Sequence, residues 1–439
     1  MIDGVTREHK VSILKLFARL QSSVITLLTG TAVAQLILFA GSPLLTRLYE
    51  PAAFGQYAMI SLVLSLAVVF ATGKYDIAVL LPKSDEDAWA LVWLACCIST
   101  TVAILVSLIA AVAVLTIDST PYGVIAGNFQ NHLVSSILLS GAMILLSGWQ
   151  SILFVWMNRL GYFRTISLAR VAQAVVMVIS QIIMSSVIGG LFGLLWATVL
   201  GLGMCLFVQL CAVLRWRHKI HRPSVATMRR LALEHANLPL HTIPTDLIGV
   251  LLAQFPIYFL GSQFSETTVG FYSLAQRTLL APMQLIASSV GEVFRRQASA
   301  NYAQFGECKA YFLRTALLLG VIALIAIIIT TLFGSDLFSW LFGEAWRTAG
   351  TYAGILIFMF ALKFVVSPLS FMFVIAKKTR LDFLLHTAFL VVLITVFRIV
   401  GSETLSATQA LLLFVTIYSI MYIVYFILSM RYAIGGKTL

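Results

Sequence analysis

Residues 315–333 read TALLLGVIALIAIIITTLF, nineteen consecutive residues without a charged side chain. A helix needs about 20 apolar residues to cross a bilayer, whereas a membrane strand needs only about 10 alternating ones. Eleven further apolar segments of comparable character occur along the chain. The twelve segments lie near 24–46, 56–73, 88–116, 133–156, 170–188, 192–214, 243–262, 271–290, 315–333, 351–374, 383–400 and 408–430. The sequence therefore predicts an all-α integral membrane protein with about twelve transmembrane helices.

The bulk composition agrees with this interpretation. Hydrophobic residues make up 60% of the 439 residues and charged residues only 10%, whereas average globular chains are about 45–50% apolar and about 25% charged. A soluble protein of this size needs more charged surface, so the composition excludes a cytosolic enzyme, a secreted disulfide scaffold and a disordered protein. The five cysteines lie mostly in or beside apolar runs, and we interpret them as small apolar side chains.

Basic residues set the predicted orientation. Lys and Arg collect in the cytoplasmic loops of membrane proteins, and placing the N-terminus inside puts most of the 29 basic residues on inner segments. The pattern persists to the last segment, which predicts that both termini are cytoplasmic. The net charge of +12 thus indicates topology rather than a nucleic-acid partner. Residues 7–20 fit either a basic amphipathic helix on the inner membrane surface or an extension of the first span.

A short motif repeats at nearly half the chain length. Residues 49–58 read YEPAAFGQYA and residues 264–273 read FSETTVGFYS, so that Gly55 matches Gly270 and a tyrosine follows each glycine two residues later. Six spans per half give the halves the same orientation, which is the parallel-repeat plan of transporters with a substrate path between the halves. We therefore predict two parallel six-helix lobes around a central cavity. Their boundaries are 1–214 for the N-terminal lobe, 215–242 for a basic cytoplasmic linker and 243–439 for the C-terminal lobe.

Ionisable residues inside membrane spans are costly and mark a path or a partner. Arg277 lies within the eighth segment, and the helical repeat places it on one narrow face with Ser273, Gln284 and Ser288. The first segment carries a similar polar stripe, formed by Thr31, Gln35 and Ser42. Because the two segments belong to opposite halves, we expect the two stripes to face each other across the central cavity.

A second deep cation is Lys363, near the middle of the tenth segment, with Ser367 and Ser370 on the same side. No acidic residue lies at comparable depth, so an ion pair is hard to build, although an internal pair or snorkelling of the side chain stays open. We expect Arg277 and Lys363 to line a cationic lumen, since Arg offers a planar donor fork suited to phosphate. Arg47 is a further candidate, although its position near an outer end also suits a lipid headgroup.

Catalytic signatures are absent from the sequence. It contains no phosphate-binding loop, no metal-ligand spacing of histidines and no nucleophile motif. We therefore predict a secondary transporter or flippase with no enzymatic activity, no cofactor and no metal. The scarcity of buried carboxylates disfavours a drug-cation exporter and simple proton coupling. Asp246, between Pro244 and Pro256 in the seventh segment, is the best remaining coupling carboxylate, and either proline can break that helix.

Three stretches of the chain resemble a known family. They are residues 51–57, PAAFGQY, residues 74–82, KYDIAVLLP, and residues 270–277, GFYSLAQR. They are similar to polysaccharide biosynthesis proteins of the oligosaccharide flippase type, the Wzx-like O-antigen translocases of the multidrug/oligosaccharidyl-lipid/polysaccharide exporter superfamily. The helix number and loop lengths also agree over most of the chain. The family commonly has Arg where this chain has Lys74, which keeps the charge but loses the bidentate fork.

The resemblance implies transfer of an undecaprenyl-pyrophosphate-linked oligosaccharide from the inner to the outer leaflet of the bacterial cytoplasmic membrane. A polysaccharide polymerase and chain-length machinery would be further partners. Arg277 is then the first candidate for a lumen anion ligand, and Lys74 and Asp76, at the inner end of the second segment, are candidates for a gate or a structural pair. Two alternatives stay open, a multidrug antiporter of the same superfamily and a membrane glycan polymerase. The product could be O-antigen, capsule or exopolysaccharide.

Overall fold

The computed structural model describes residues 26–27, 29–116, 133–215, 222–400 and 405–435, which contain helices and turns and no strand. The helices are α1 Thr29–Leu48, α2 Pro51–Ala71, α3 Tyr75–Ala78, α4 Asp85–Thr116, α5 Leu133–Arg159, α6 Phe163–Val187, α7 Gly190–Leu214, α8 Val225–Glu234, α9 Asn237–Gln263, α10 Glu266–Phe305, α11 Lys309–Phe342, α12 Arg347–Leu369, α13 Met372–Ile375, α14 Thr379–Val400 and α15 Ala407–Ala433. The amphipathic segment expected at 7–20 lies outside the described residues.

The predicted membrane spans coincide with long helices. Among the described residues, eleven helices are long and apolar enough to cross a membrane, so the chain is an all-α, multi-pass membrane protein. Every predicted segment overlaps one of the long helices. The eighth segment, 271–290, falls in α10, which is more polar than the others and is not among the eleven. The total of twelve spans and the cytoplasmic position of both termini therefore stay predictions.

Helix α10 is the longest element of the described chain. Its 40 residues rise about 60 Å at 1.5 Å per residue, which exceeds the thickness of a bilayer with its headgroups, about 40–45 Å. The C-terminal part of α10 is exposed at Glu292, Arg295 and Arg296, as expected for a helix that continues into water. The apolar pattern alone could not reveal this extension, because it carries no hydrophobic signal.

The described chain forms two compact units. Unit 1 consists of the residues up to Gly41 together with Val63–Asp246, and unit 2 consists of Ser42–Leu62 and the residues from Leu247 onward. These units follow the packing of the chain, whereas the lobe boundaries given by the sequence follow the repeat. The repeat boundaries stay a prediction.

Unit 1 is built around α4, α5 and α7. Helix α5 packs against α4 and α7, α6 packs against α7, and the short helix α8 packs on α4. The core beside α4 contains Leu91, Ile152 and Trp156, all almost fully buried, and the rings of Trp89 and Trp156 lie 5.1 Å apart. Leu231 of α8 is buried in the same cluster, so the described part of the basic linker is anchored to this unit.

Helix α12 is the centre of unit 2. It packs against α10, α11 and α15, and one core cluster there contains Phe294, Phe312 and Leu369. A second group of aromatic rings surrounds the buried Trp346, whose indole Nε1 donates to the main-chain oxygen of Thr46 at 2.9 Å. Because α12 is enclosed on several sides, a polar side chain in its middle is held at a fixed position inside the unit.

The two glycines of the sequence repeat contact each other in unit 2. A Cβ on Gly55 would lie 1.8 Å from the main-chain oxygen of Glu266, and a Cβ on Gly270 would lie 2.0 Å from that of Pro51. Pro51 and Glu266 are themselves related by the repeat offset, so the contact is reciprocal. The Gln56 side-chain Nε2 donates to Glu266 Oε2 at 2.6 Å. The repeat therefore corresponds to a close, locally two-fold crossing of the first turns of α2 and α10.

Candidate substrate-binding site

The first cavity of unit 2 contains Arg277. It has a volume of about 240 Å³ and lies between α2, α9 and α10. Its polar lining comes from Tyr57, Ser61, Gln254, Ser273, Gln276 and Arg277. The wall is completed by apolar residues such as Ile257 and Leu274. The cavity is thus a small apolar pocket with one cation and several neutral hydrogen-bonding groups, a pattern typical of ligand sites.

Arg277 lies in the first half of α10. It is the twelfth residue of α10, about 16 Å from the start of that helix. Pro282 lies five residues later and removes the N–H that would bond the carbonyl of Thr278. Within the described part of the chain, Arg277 forms no ion pair with a carboxylate. Its guanidinium therefore has donors available for an anion that enters the cavity.

Only part of the polar stripe predicted on this helix lines the cavity. Ser273 and Arg277 both line it, and the Ser273 hydroxyl also donates to the main-chain oxygen of Gly270 at 3.0 Å. Gln284 and Ser288 lie further along α10 with exposed side chains and are not in its lining. The Ser288 hydroxyl donates to its own helix. Their proposed role in substrate binding therefore has no support from this cavity.

A second cavity of unit 2, of about 280 Å³, contains Lys363. Lys363 makes no ion pair within the described residues, although Asp382 lines the same cavity. Tyr272, a residue 1% exposed, also lines it, and its hydroxyl has no hydrogen-bond partner in the described structure. Ser367 and Ser370, which the sequence places on the same side as Lys363, are in the lining. The structure thus brings Lys363, Ser367 and Ser370 to one cavity.

Pro256 of α9 also shapes the second cavity. A proline at this position cannot donate to the main-chain oxygen of Leu252, four residues earlier. The hydroxyl of Tyr418, on α15, donates to that oxygen instead. The proline predicted to break the helix is therefore accommodated inside a continuous α9, because a side chain from a neighbouring helix satisfies the freed carbonyl.

Gln276 joins the two cavities and was missed by the sequence analysis. Its side chain lines both, and Ala253 of α9 is likewise shared. Gln276 is next to Arg277 in sequence, but it lies on a different face of α10 from the predicted stripe. The sequence signal that could have identified Gln276 is a glutamine inside an apolar segment. Its shared position means that an anion held by Arg277 and a group held near Lys363 would have a common wall.

Unit 1 contains a further membrane cation, Arg170. Its guanidinium Nη1 donates to Thr31 Oγ1 at 2.8 Å and lies over the Phe154 ring, 4.9 Å from the centroid. No carboxylate pairs with it in the described part of the chain. The sequence boundary at 170 assigned this arginine to an inner loop, whereas α6 begins at Phe163 and makes it the eighth helical residue. Thr31 of the predicted stripe thus has a defined partner, while Gln35 is exposed.

Lys74 and Asp76, predicted to form a gate or a structural pair, do not pair with each other in the structure. Lys74 Nζ lies 2.6 Å from Asp246 Oδ2, whereas Asp76 is buried and accepts hydrogen bonds from Thr72 Oγ1 at 2.8 Å and Ser151 Oγ at 3.1 Å. Lys74 adopts a left-handed backbone conformation, with φ of 60°. This turn points the two side chains to different partners, although they are two residues apart.

The surroundings of this turn tie it to the linker helix α8. The Tyr75 hydroxyl donates to the main-chain oxygen of Ala232 at 3.1 Å. Burial raises the pKa of Tyr75, so the phenol remains a protonated donor at neutral pH. Arg230 of α8 forms an ion pair with Asp87 at 2.8 Å. Lys74 and Asp246 are therefore part of a connected cluster within unit 1.

Arg47, the remaining predicted site residue, is the penultimate residue of α1 and has an exposed side chain. It lines neither of the two cavities described above. Within the described residues no group of three His, Cys, Asp or Glu side chains could hold a metal ion. Each of the two cavities contains one cationic side chain, Arg277 in the first and Lys363 in the second.

Comparison with known proteins identifies the family and the fold. The family model described as "Polysaccharide biosynthesis protein" matches residues 44–351, well over half of the chain. No curated protein sequence matches. The chain is similar to the solved structure "Lipid II flippase MurJ, inward closed conformation", with a TM-score of 0.66 and 13% identity over 93% of this chain and 87% of that one.

Two further solved structures have the same fold. "Crystal structure of MATE in the bent conformation" gives a TM-score of 0.56 at 15% identity, covering 93% of this chain and 94% of that one. The structure "Reverse polarity of binding pocket suggests different function of a MOP superfamily transporter from Pyrococcus furiosus Vc1 (DSM3638)" gives a TM-score of 0.57 at 14% identity, covering 95% of this chain and 96% of that one. At such low identity the likeness shows a shared transporter fold and carries no information on the substrate of this chain.

Proposed function

We propose that this chain, which belongs to the polysaccharide biosynthesis protein family, is a flippase for an undecaprenyl-pyrophosphate-linked oligosaccharide. It would move this lipid from the inner to the outer leaflet of the bacterial cytoplasmic membrane by alternating access. The family description supports a role in polysaccharide synthesis. A similar fold in a protein named lipid II flippase supports the transport of a lipid-linked sugar rather than its polymerisation.

The observation that carries the proposal is the Arg277 cavity. A guanidinium that lines a cavity of unit 2 and has no carboxylate partner in the described residues attracts an anion. Arg is well suited to the planar, bidentate recognition of phosphate oxygens. The pyrophosphate of the lipid carrier is such an anion, whereas a cationic drug would be repelled by Arg277 and Lys363.

Two other cations are proposed to assist. Lys363, in the adjoining cavity, would attract a second anionic group. Arg170 in unit 1 has a positioned guanidinium, because its central carbon lies over the Phe154 ring and Thr31 accepts one of its hydrogen bonds. Most of its five donors therefore stay available to phosphate or sugar oxygens.

Lys74 and Asp246 are proposed to form an inner gate. Their ion pair is partly exposed, with side-chain exposures of 18% and 42%, so opening would require only a modest free energy. Protonation of Asp246 would remove the attraction, which is how a coupling role for this carboxylate would act. The exported unit would enter O-antigen, capsule or exopolysaccharide synthesis, with the polymerase and chain-length machinery acting after the flippase.

A deletion strain tests the function directly. Its extracted lipids are assayed for undecaprenyl-pyrophosphate-linked oligosaccharide while surface polysaccharide is scored in parallel. We expect single repeat units to accumulate and surface polymer to be lost. Normal intermediates and normal surface polymer would remove the flippase proposal. Drug sensitivity with normal surface glycan would indicate the multidrug antiporter instead, and accumulation of unpolymerised units on the outer leaflet would indicate a polymerase.

Complementation with Arg277→Gln tests the site. The loss of a charged hydrogen-bonding partner costs about 1.5–3 kcal/mol, so we expect surface polymer to fall by about ten-fold or more at an unchanged amount of membrane protein. Arg296→Gln is the matched control, since Arg296 is an exposed arginine of the same helix and its loss should leave surface polymer intact. Full complementation by Arg277→Gln would exclude this arginine as a substrate ligand. Arg170→Gln is measured in the same series and is expected to fail likewise.

A further inference from the structure

Three side chains that the proposed substrate path does not use meet at the edge of the Lys363 cavity. Asp382 and His386 lie one turn apart on α14, and Tyr425 lies on α15; all three line the cavity. His386 Nδ1 lies 3.0 Å from the main-chain oxygen of Asp382, 2.6 Å from the Tyr425 hydroxyl and 3.4 Å from Asp382 Oδ1. The Tyr425 hydroxyl also lies 3.1 Å from the main-chain oxygen of Asp382.

Two tautomers of His386 fit these contacts. With its hydrogen on Nδ1, the ring donates toward Asp382, whose main-chain oxygen and carboxylate can only accept, and Nε2 is left to take up a proton. With its hydrogen on Nε2, Nδ1 accepts from the Tyr425 hydroxyl and is itself the nitrogen left to take up a proton. In both tautomers the ring can therefore gain one proton. Histidine is the side chain whose charge changes between about pH 5 and 8, and a carboxylate next to Nδ1 stabilises the charged ring.

The charge of the cavity depends on this proton. The titratable groups facing it are Tyr272 from α10, Lys363 from α12, Asp382 and His386 from α14, and Tyr418, Tyr422 and Tyr425 from α15, while α9 contributes none. With His386 neutral, the charges of Lys363 and Asp382 cancel. With His386 protonated, the cavity carries one net positive charge.

We propose that the Lys363 cavity binds a phosphate-type oxyanion together with one proton, which His386 takes up. Lys363 and the unpartnered Tyr272 hydroxyl supply donors to the anion. The proton on His386 supplies the charge that Asp382 would otherwise cancel. By linkage, the anion raises the affinity for the proton by the same factor as the proton raises the affinity for the anion.

A metal cation is a poorer ligand for this cavity. Hard cations take six or more oxygen ligands, usually with several carboxylates, whereas Asp382 is the sole carboxylate of the lining and Lys363 repels a second cation. The proposal rests on the proposed function only in its choice of ligand. The phosphate-type group can come from the translocated pyrophosphate or from the phosphate of a membrane lipid, because the two share the same chemistry. Gln276 lines both this cavity and the Arg277 cavity. The cavity that contains His386 therefore adjoins the proposed main anion site.

Sulfate binding to the purified full chain tests the proposal, because sulfate is a tetrahedral dianion that does not itself titrate between pH 5 and 8. Calorimetry is done in nanodiscs of zwitterionic phosphatidylcholine, in two buffers of different ionisation heat. We expect the dissociation constant to rise about ten-fold from pH 6 to pH 8, with up to one proton taken up per sulfate. No sulfate binding at any pH, or binding with no proton uptake, would overturn the proposal.

Variants identify the group that takes the proton. His386→Asn keeps a donor near the Nδ1 position but cannot be protonated, and His386→Gln is a second variant in case the first does not fold. Both are expected to bind sulfate with an affinity nearly independent of pH. His241→Gln is the matched control, since His241 also lies 2.8 Å from the main-chain oxygen four residues earlier but lies outside the cavity. An unchanged pH dependence in the His386 variants would refute the assignment.

Two further measurements test which cavity binds sulfate and which natural ligand occupies it. Lys363→Met should abolish the pH-dependent binding, whereas Arg277→Gln should preserve it; the reverse result would place the anion in the Arg277 cavity and overturn the proposal. Added phosphatidylglycerol should weaken sulfate binding if a lipid phosphate is the natural occupant, and should leave it unchanged if the translocated substrate is. Translocation assays run separately, so a flippase without this proton linkage would leave the proposed function intact.

Discussion

At the scale of single residues, the charges of this chain differ in how they are compensated. Asp76 is 8% exposed, but two hydroxyls donate to its carboxylate. Lys74 is compensated by Asp246. Arg277 and Lys363 lack a carboxylate partner in the described structure and line cavities. A buried charge without a partner is costly. The Arg277 cavity has no carboxylate in its lining, so a bound anion would restore the balance there, whereas Asp382 shares the lining of the Lys363 cavity.

Asp76 provides a test of a buried charge that hydrogen bonds compensate. Asp76→Ala removes both accepted hydrogen bonds and leaves the hydroxyls of Thr72 and Ser151 without their acceptor. We expect a loss of about 2 kcal/mol, seen as a melting temperature of the purified protein lower by a few degrees. Glu86→Ala is the control, since Glu86 is exposed and such substitutions usually change stability by less than about 0.5 kcal/mol. Equal melting temperatures for the two variants would contradict a structural role for Asp76.

The residue scale also marks the limit of what the sequence could predict about the site. Arg277 and Lys363 could be singled out because a charge inside an apolar segment is a local signal. Their surroundings could not, since Tyr57 and Arg277 are 220 positions apart and meet only through packing. Lys74 and Asp76 were predicted to form a gate or a structural pair, and the sequence did not point to Asp246 as the partner of Lys74, because a left-handed turn at Lys74 has no signature in a non-glycine residue.

At the scale of elements, the close crossing of α2 and α10 depends on two glycines. Gly55 and Gly270 each lie against a main-chain carbonyl of the other helix, and a main-chain atom cannot turn aside as a side chain can. Gly55→Ala or Gly270→Ala should force the helices apart, with a loss above about 3 kcal/mol, which we expect to remove most folded protein from detergent extracts in a gel-filtration assay.

Gly320→Ala serves as the control for these two variants. Gly320 lies inside α11, and a Cβ added there would have no heavy atom of another residue within 4 Å beyond its own helix backbone and chain neighbours. Alanine at this position should therefore be neutral or stabilise the helix by up to about 1 kcal/mol. Normal yields of the Gly55 and Gly270 variants would show that the crossing is wider than the structure has it.

The elements themselves could largely be predicted, because a run of about 20 apolar residues is a local property of the sequence. Errors occurred at helix ends. The predicted start at 170 missed the first seven residues of α6, which begins at Phe163, and so misplaced Arg170. The predicted end at 290 missed the exposed last part of α10. Polar helix extensions carry no hydrophobic signal, which is why these boundaries were not visible.

At the scale of the whole molecule, the topology depends on α10. Eleven described helices qualify as spans by length and composition, and α10 does not. A central arginine costs a span about 2.5–3.5 kcal/mol, but in α10 it lines a protein cavity rather than lipid. The apolar residues on the remaining faces of its first half, such as Leu274, Leu279 and Met283, are buried in unit 2. A helix enclosed in this way can cross the membrane although its mean hydropathy is low.

We therefore predict that α10 spans the membrane and that both termini are cytoplasmic. Reporter fusions that are active only outside or only inside the cell check this when placed after residue 265, after residue 307 and at the C-terminus. The first fusion should report the outside, and the other two should report the cytoplasm. Fusions after residues 378 and 402 provide the control, because α14 is among the apolar spans and the reporter must change sides across it. An external signal after residue 307 would reduce the number of spans to eleven and place the C-terminus outside. It would also reverse the orientation of every helix after α10. The parallel repeat would then be lost, and with it the path between two equivalent halves that depends on that repeat.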